Sequence, residues 1–115
     1  MSGKTVESGA LPPSRIHGLA SVVEVTPGAI VSRTLMRSPG GNVTAFAFDG
    51  GQALSEHSAP FDALVQVLDG ALVVTIAGEE HGLRAGEAIL MPADVPHAVR
   101  AEEAAKWMLV MLKDG

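Results

Sequence analysis

The chain of 115 residues contains no cysteine. Disulfides, thiolate metal sites and cysteine nucleophiles are thereby excluded together. Aromatic residues amount to only 3%, which leaves little from which to build a stacking platform. Lys and Arg number 8 against 13 Asp and Glu, the formal net charge is −5, and the basic residues form no run. A surface of that sign neither tracks nucleic-acid phosphates nor docks on anionic lipid. No apolar stretch approaches the roughly 20 residues that a membrane span needs. The first ten residues lack the apolar core of a secretory signal. A soluble, cytoplasmic protein is the resulting expectation. Helical periodicity of useful length is missing too, and there is no internal repeat.

What the chain does contain is apolar residues, at 47%, enough for a packed interior. The length fits one domain. Residues 1–18, polar and Gly-containing with Pro12-Pro13 inside them, read as an N-terminal leader, and 19–115 as the single domain. Short β-rich runs separated by turn residues follow: Ser21–Val25, Ile30–Met36, Val43–Phe48, Leu64–Leu68, Ala71–Ala77, Glu80–Arg84, Ala88–Met91, Ala98–Ala101 and Lys106–Leu112. Asp69-Gly70 between two Val-rich runs predicts a two-residue hairpin of type I′, with Ala77-Gly78 and Ser38–Gly41 as less specific turn signals. Pro92 and Pro96 bracket a turn ahead of His97, since neither fits a central strand. Nine or so short antiparallel strands cover their apolar faces by forming two facing sheets or a closed roll. Small size and open strand edges predict a homodimer, with Ser21–Val25 as a candidate for pairing across the two-fold.

Two segments carry the chemistry. The first runs Gly51-Gln-Ala-Leu-Ser-Glu-His57-Ser-Ala59-Pro-Phe-Asp-Ala63 and closes at Gly70. The second runs Gly86-Glu-Ala-Ile-Leu-Met-Pro92-Ala-Asp-Val-Pro96-His97. Together they resemble the two motifs of the cupin superfamily, in particular its small single-domain, conserved-barrel members. The resemblance covers residues of about 40 to 112 and implies an all-β jelly-roll β-barrel of two facing antiparallel sheets. It further implies a metal held by His-x-His, a Glu or Gln, and a final His. Laid over this chain, those positions fall on His57, Ala59, Ala63 and His97. Two donors are present and two are methyl groups.

Strand parity puts Ala59 on the face of His57 if the strand is regular, Val65 on that of Ala63, and Val99 on that of His97. The resemblance makes this face the interior. The expected ligand cavity is thus His57 and His97 in a wall of Ala59, Ala63, Val65 and Val99. Two imidazoles hold Fe, Mn, Ni or Zn weakly unless another donor turns inward. Asp62 is the best substitute, ahead of Glu56 and Gln52. No nucleophile or orienting partner for a general base is legible. His17 and His81 read as surface residues, Phe46, Phe48 and Trp107 as packing, and Met91, Met108 and Met111 as adaptable apolar filling.

Three functions compete. The first is binding of a small-molecule ligand without a tightly held metal. The second is a metal-dependent dioxygenase, decarboxylase, isomerase or lyase acting on a small organic acid or a sugar-like substrate. The third is assembly alone, with the barrel as a dimerisation block; fold does not decide among the three, because this barrel hosts unrelated activities.

Overall fold

A computed structural model describes the backbone of residues 3–6 and residues 9–113 in full. Ten strands follow one another: β1 (Gly3–Val6), β2 (Ala29–Ser38), β3 (Gly41–Phe48), β4 (Ala53–His57), β5 (Asp62–Asp69), β6 (Ala71–Ile76), β7 (Glu79–Arg84), β8 (Ala88–Met91), β9 (His97–Arg100) and β10 (Ala105–Leu112). They form a six-stranded sheet in the order β1-β2-β3-β10-β5-β8 and a four-stranded sheet in the order β4-β9-β6-β7. The two sheets face each other as a jelly roll, as expected. All described pairings are antiparallel except β1 with β2. No helix among the described residues is long and apolar enough to cross a membrane.

Period-2 patterning explains which side chains meet. In β5, Ala63, Val65 and Val67 point inward and are buried, while Leu64 and Gln66 alternate outward. In β10 the inward set includes Ala105 and Trp107, and Trp107 stacks on Phe46 at 4.4 Å and meets Phe48 edge-on at 5.4 Å. These side chains, with Leu72 and Val74 of β6, Leu83 of β7 and Val99 of β9, form the core between the sheets. Each fully buried large side chain contributes about 1.5–3 kcal/mol.

A second apolar cluster lies on the outer face of β2 and β3. Val22 and Val23, with Leu11 and Val25 partly buried beside them, cover Val31, Leu35, Ala45 and Ala47. The expected strand Ser21–Val25 is therefore corrected. The chain makes a 3-10 turn over Leu19–Ser21 and then packs by side chains, with no ladder to offer a second copy. Burial of two adjacent valines against a sheet face overrides their strand propensity. The 1–18 segment is described in part. Gly3–Val6 pair with Ala29–Ser32, and the Leu11 amide donates to the Leu35 carbonyl at 2.9 Å. Residues 1, 2, 7 and 8 of that segment lie outside the described residues.

The turn signals exchange roles. Asp69-Gly70 is a corner, not a hairpin: β5 belongs to one sheet and β6 to the other. Glycine is needed there because φ is +77° and a Cβ would stand 2.7 Å from the Ala104 carbonyl oxygen. Two-residue hairpins are formed instead by Pro39-Gly40, between the paired Ser38 and Gly41, and by Ala77-Gly78, between the paired Ile76 and Glu79, the latter with φ of 52° and 83°. That is the sign pattern of a type I′ turn. Alanine in the left-handed region costs about 1–2 kcal/mol, and asparagine tolerates it better. Ala77→Asn is expected to stabilise by about 0.5–1 kcal/mol, read as a higher urea midpoint at unchanged slope. A lower midpoint would reject the turn assignment.

Candidate functional site

His97 opens β9 directly after Pro96, and its ring is buried at 4% exposure. His57 closes β4 and is the residue directly opposite it in the β4–β9 pair. The rings meet because cross-strand neighbours have Cβ atoms only about 5 Å apart. A β-bulge positions His57: Leu54 pairs with Val99 and His57 with His97, so three steps on β4 match two on β9. The extra residue reverses strand parity and turns both Leu54 and His57 toward the cavity.

The Nε2 atoms of the two histidines stand 3.2 Å apart, with ring centroids at 4.4 Å and planes at 77°. Each Nδ1 faces a backbone carbonyl oxygen, His57 that of Ser55 at 2.9 Å and His97 that of Val95 at 3.2 Å. A carbonyl only accepts, so these two contacts call for hydrogen on both Nδ1 atoms, the tautomer in which each ring offers its Nε2 as an acceptor. The remaining wall is apolar: Leu54 and Val99 come from the four-stranded sheet, Ala63, Met91, Trp107, Leu109 and Met111 from the six-stranded one, and Ala59 and Phe61 from the loop after β4. The enclosed space is about 60 Å³. A larger depression of about 520 Å³ lies elsewhere, along Gly70–Val73, Gly82–Arg84 and Glu102–Ala104. It is more open and gathers no imidazole, so convergent polar groups favour the smaller cavity as the functional one.

Of the residues expected from sequence, His57, His97, Ala59, Ala63 and Val99 line this cavity. Three expectations are corrected. His57 stands at the mouth and is exposed rather than interior. Val65 is fully buried in the core but outside the cavity wall. Asp62 is not a donor to the pair. It shares the outward face of Leu64, and its Oδ1 accepts from the Ala93 amide at 2.9 Å, tying down the loop before His97. Glu56 is exposed, and neither it nor Gln52 reaches the cavity. Met91 and Met111 do line it, whereas Met108 faces outward onto the second cluster. Leu54 and Phe61 were not legible, since only the bulge and the loop after β4 bring them in.

Metal chemistry is testable on this donor set. Two nitrogens on one ion at about 2.0–2.1 Å stand about 2.8–3.0 Å apart in octahedral geometry and about 3.3–3.4 Å apart in tetrahedral geometry. The observed 3.2 Å lies between the two. The carbonyl acceptors at both Nδ1 atoms also orient the rings as metal ligands are usually oriented. There the donors end. Among the described residues no group of three His, Cys, Asp or Glu side chains gathers. Two imidazoles without a carboxylate do not fit a tightly held divalent ion.

Burial, then the nearby His57, holds the His97 imidazole below its ordinary value, with the Val95 carbonyl opposing in part. A depressed value in the folded state means the unfolded chain takes up the proton first as pH falls. Stability is therefore full above about pH 6.5, the unfolded value, and declines as pH drops through the folded one. Thermal unfolding from pH 8 to 5 should show this decline, and His97→Gln should flatten it. Each unit of lowering corresponds to about 1.4 kcal/mol.

Comparison with known proteins agrees with the fold. The profile of the cupin domain matches residues 45–111. A conserved protein of unknown function from Streptococcus pyogenes superposes with a TM-score of 0.88 at 34% identity, over 93% of this chain and 94% of that one. A cupin superfamily protein from Desulfitobacterium hafniense gives 0.86 at 27% identity, over 92% and 97%. A cupin 2 conserved barrel domain protein from Leptotrichia buccalis gives 0.80 at 43% identity, over 83% of this chain and 46% of that one. A search among curated proteins found no significant match. A domain match over most of the barrel, two histidines at motif positions and near-complete superposition lead to one conclusion: the chain belongs to the cupin family.

Proposed function

We propose that this cupin binds a small molecule in the histidine cavity and does so without a tightly held metal. The observation that carries the reading is the convergent Nε2 pair, 3.2 Å apart, in an otherwise apolar wall. A few convergent polar groups in an apolar recess are the ordinary make-up of a ligand site. The second reading is a metal-dependent cupin enzyme, and the cis-ligand spacing of the two nitrogens favours it.

Metal analysis of protein purified without chelator separates the two. Near-stoichiometric Fe, Mn, Ni or Zn, lost in His57→Ala and His97→Ala, would establish the enzyme-type centre. Metal-poor protein that is stabilised in a thermal-shift panel supports ligand binding. A ligand at 100 times its dissociation constant adds about 2.7 kcal/mol.

A homodimer is part of the proposal. Met36, Val43, Val110, Leu64 and Leu90 are successive register partners and form an uncharged row across five strands of the outer face. Met36, Leu64 and Leu90 remain 62%, 36% and 55% exposed. Such a row on a small domain favours a second subunit. Sedimentation at micromolar concentration should give the dimer mass, and Leu90→Asp the monomer. A monomeric wild type would refute it.

A further inference from the structure

We propose that the cavity recognises an uncharged hydroxyl head, that of a small alcohol, enol or phenol, and rejects carboxylates. The proposal rests on the small-molecule reading above and names its ligand class.

The argument begins with the backbone. Carbonyl oxygens of Ser55 and Val95 occupy the Nδ1 sides of both rings, which leaves two lone pairs converging at 3.2 Å with no protein donor between them. Opposed acceptors repel, and a ligand that brings hydrogen relieves the repulsion. A carboxylate brings two more acceptors instead. It would also enter a wall that contains no Lys or Arg, in a protein of net charge −5. An ammonium group supplies hydrogens but finds no carboxylate, since Asp62 is engaged by the Ala93 amide. Leaving an unpaired charge in such a recess costs several kcal/mol.

A second observation points to the same head group. Trp107 lines the cavity, and its indole N–H is buried with no acceptor among the described residues. A hydroxyl donates to an imidazole Nε2 and retains an oxygen that accepts. A ketone of the same shape brings no hydrogen to either imidazole. Size sets the rest: the cavity holds about 60 Å³, against about 150 Å³ for an apolar cavity that takes benzene. The head and a few carbons fit inside, and any larger body extends past His57 at the mouth.

The test uses the intact protein at pH 8. Long-range proton–nitrogen spectra of the imidazoles should show both rings protonated at Nδ1, and an Nε2–H tautomer in either free ring would overturn the premise. Titrations then compare 2-propanol with acetone and isobutyrate, and phenol with benzoate. Binding is read from the Nε2 resonances and from the single tryptophan's fluorescence. The alcohol and the phenol are expected to bind at least tenfold more tightly than the ketone and the carboxylates, and His97→Phe should abolish the difference. Carboxylates that bind as well as hydroxyl compounds would refute the head-group assignment while leaving ligand binding intact. Silence of every probe, together with no stabilisation by any compound in a broad thermal-shift panel, would refute both.

Discussion

Ala59→His combined with Ala63→Glu is expected to turn a weak metal chelator into a strong one. Both alanines line the cavity that holds the Nε2 pair, and Ala63 is buried on the inward face of β5. The imidazoles already stand at the separation of two ligands on one ion, so the new side chains complete a sphere rather than create one. Each added donor should raise affinity about tenfold or more, which is about 1.4 kcal/mol apiece. Calorimetric titration with Zn or Ni at pH 7.5 should show a gain of about a hundredfold or more for the double variant over wild type. The cavity is small, so the added bulk should cost about 1–3 kcal/mol of apo stability. Metal binding should then restore that loss. If the double variant folds and gains no affinity, the two histidines do not share one coordination sphere.

Trp107→Ala is expected to destabilise the protein by about 3–5 kcal/mol, a large part of the stability of a domain this size. The side chain is fully buried, stacks on Phe46, meets Phe48 edge-on and lines the cavity, so its loss opens the core and the site together. Trp107→Phe should cost less than half as much. Phenylalanine keeps most of the aromatic packing and removes the buried indole N–H, whose lack of an acceptor costs about 1–3 kcal/mol. Urea unfolding followed by circular dichroism measures both, because fluorescence disappears with the only tryptophan. Equal losses in the two variants would mean that the indole N–H finds an acceptor in solution.

The two results concern opposite kinds of information. Alternation along β3, β5 and β10 is a local property, fixed by the pleat, so the inward faces of Ala63, Val65 and Trp107 could be read from residue order. The positions of His57 and His97 in their motifs, and of alanine where donors are expected, were equally legible. Strand neighbours were not. Asp69-Gly70 carries the stronger local hairpin signal, yet the strands on its two sides join different sheets, so it is a corner, while Ala77-Gly78 closes a tight hairpin. Ser21–Val25 has strand composition, but Val22 and Val23 gain more by covering the outer face of β2 and β3.

The amino-acid order by itself determined the all-β class, the jelly roll and the identity of a metal-poor histidine pair. Only the tertiary structure decided that the pair spans neighbouring strands and that a bulge aims His57 at His97. It also decided that Asp62 is spent on a loop, and that backbone carbonyls turn both Nε2 lone pairs toward each other. The reason is physical. Which face a residue takes depends on its own strand, whereas partner, register and tautomer depend on atoms far along the chain that meet only when the sheets close.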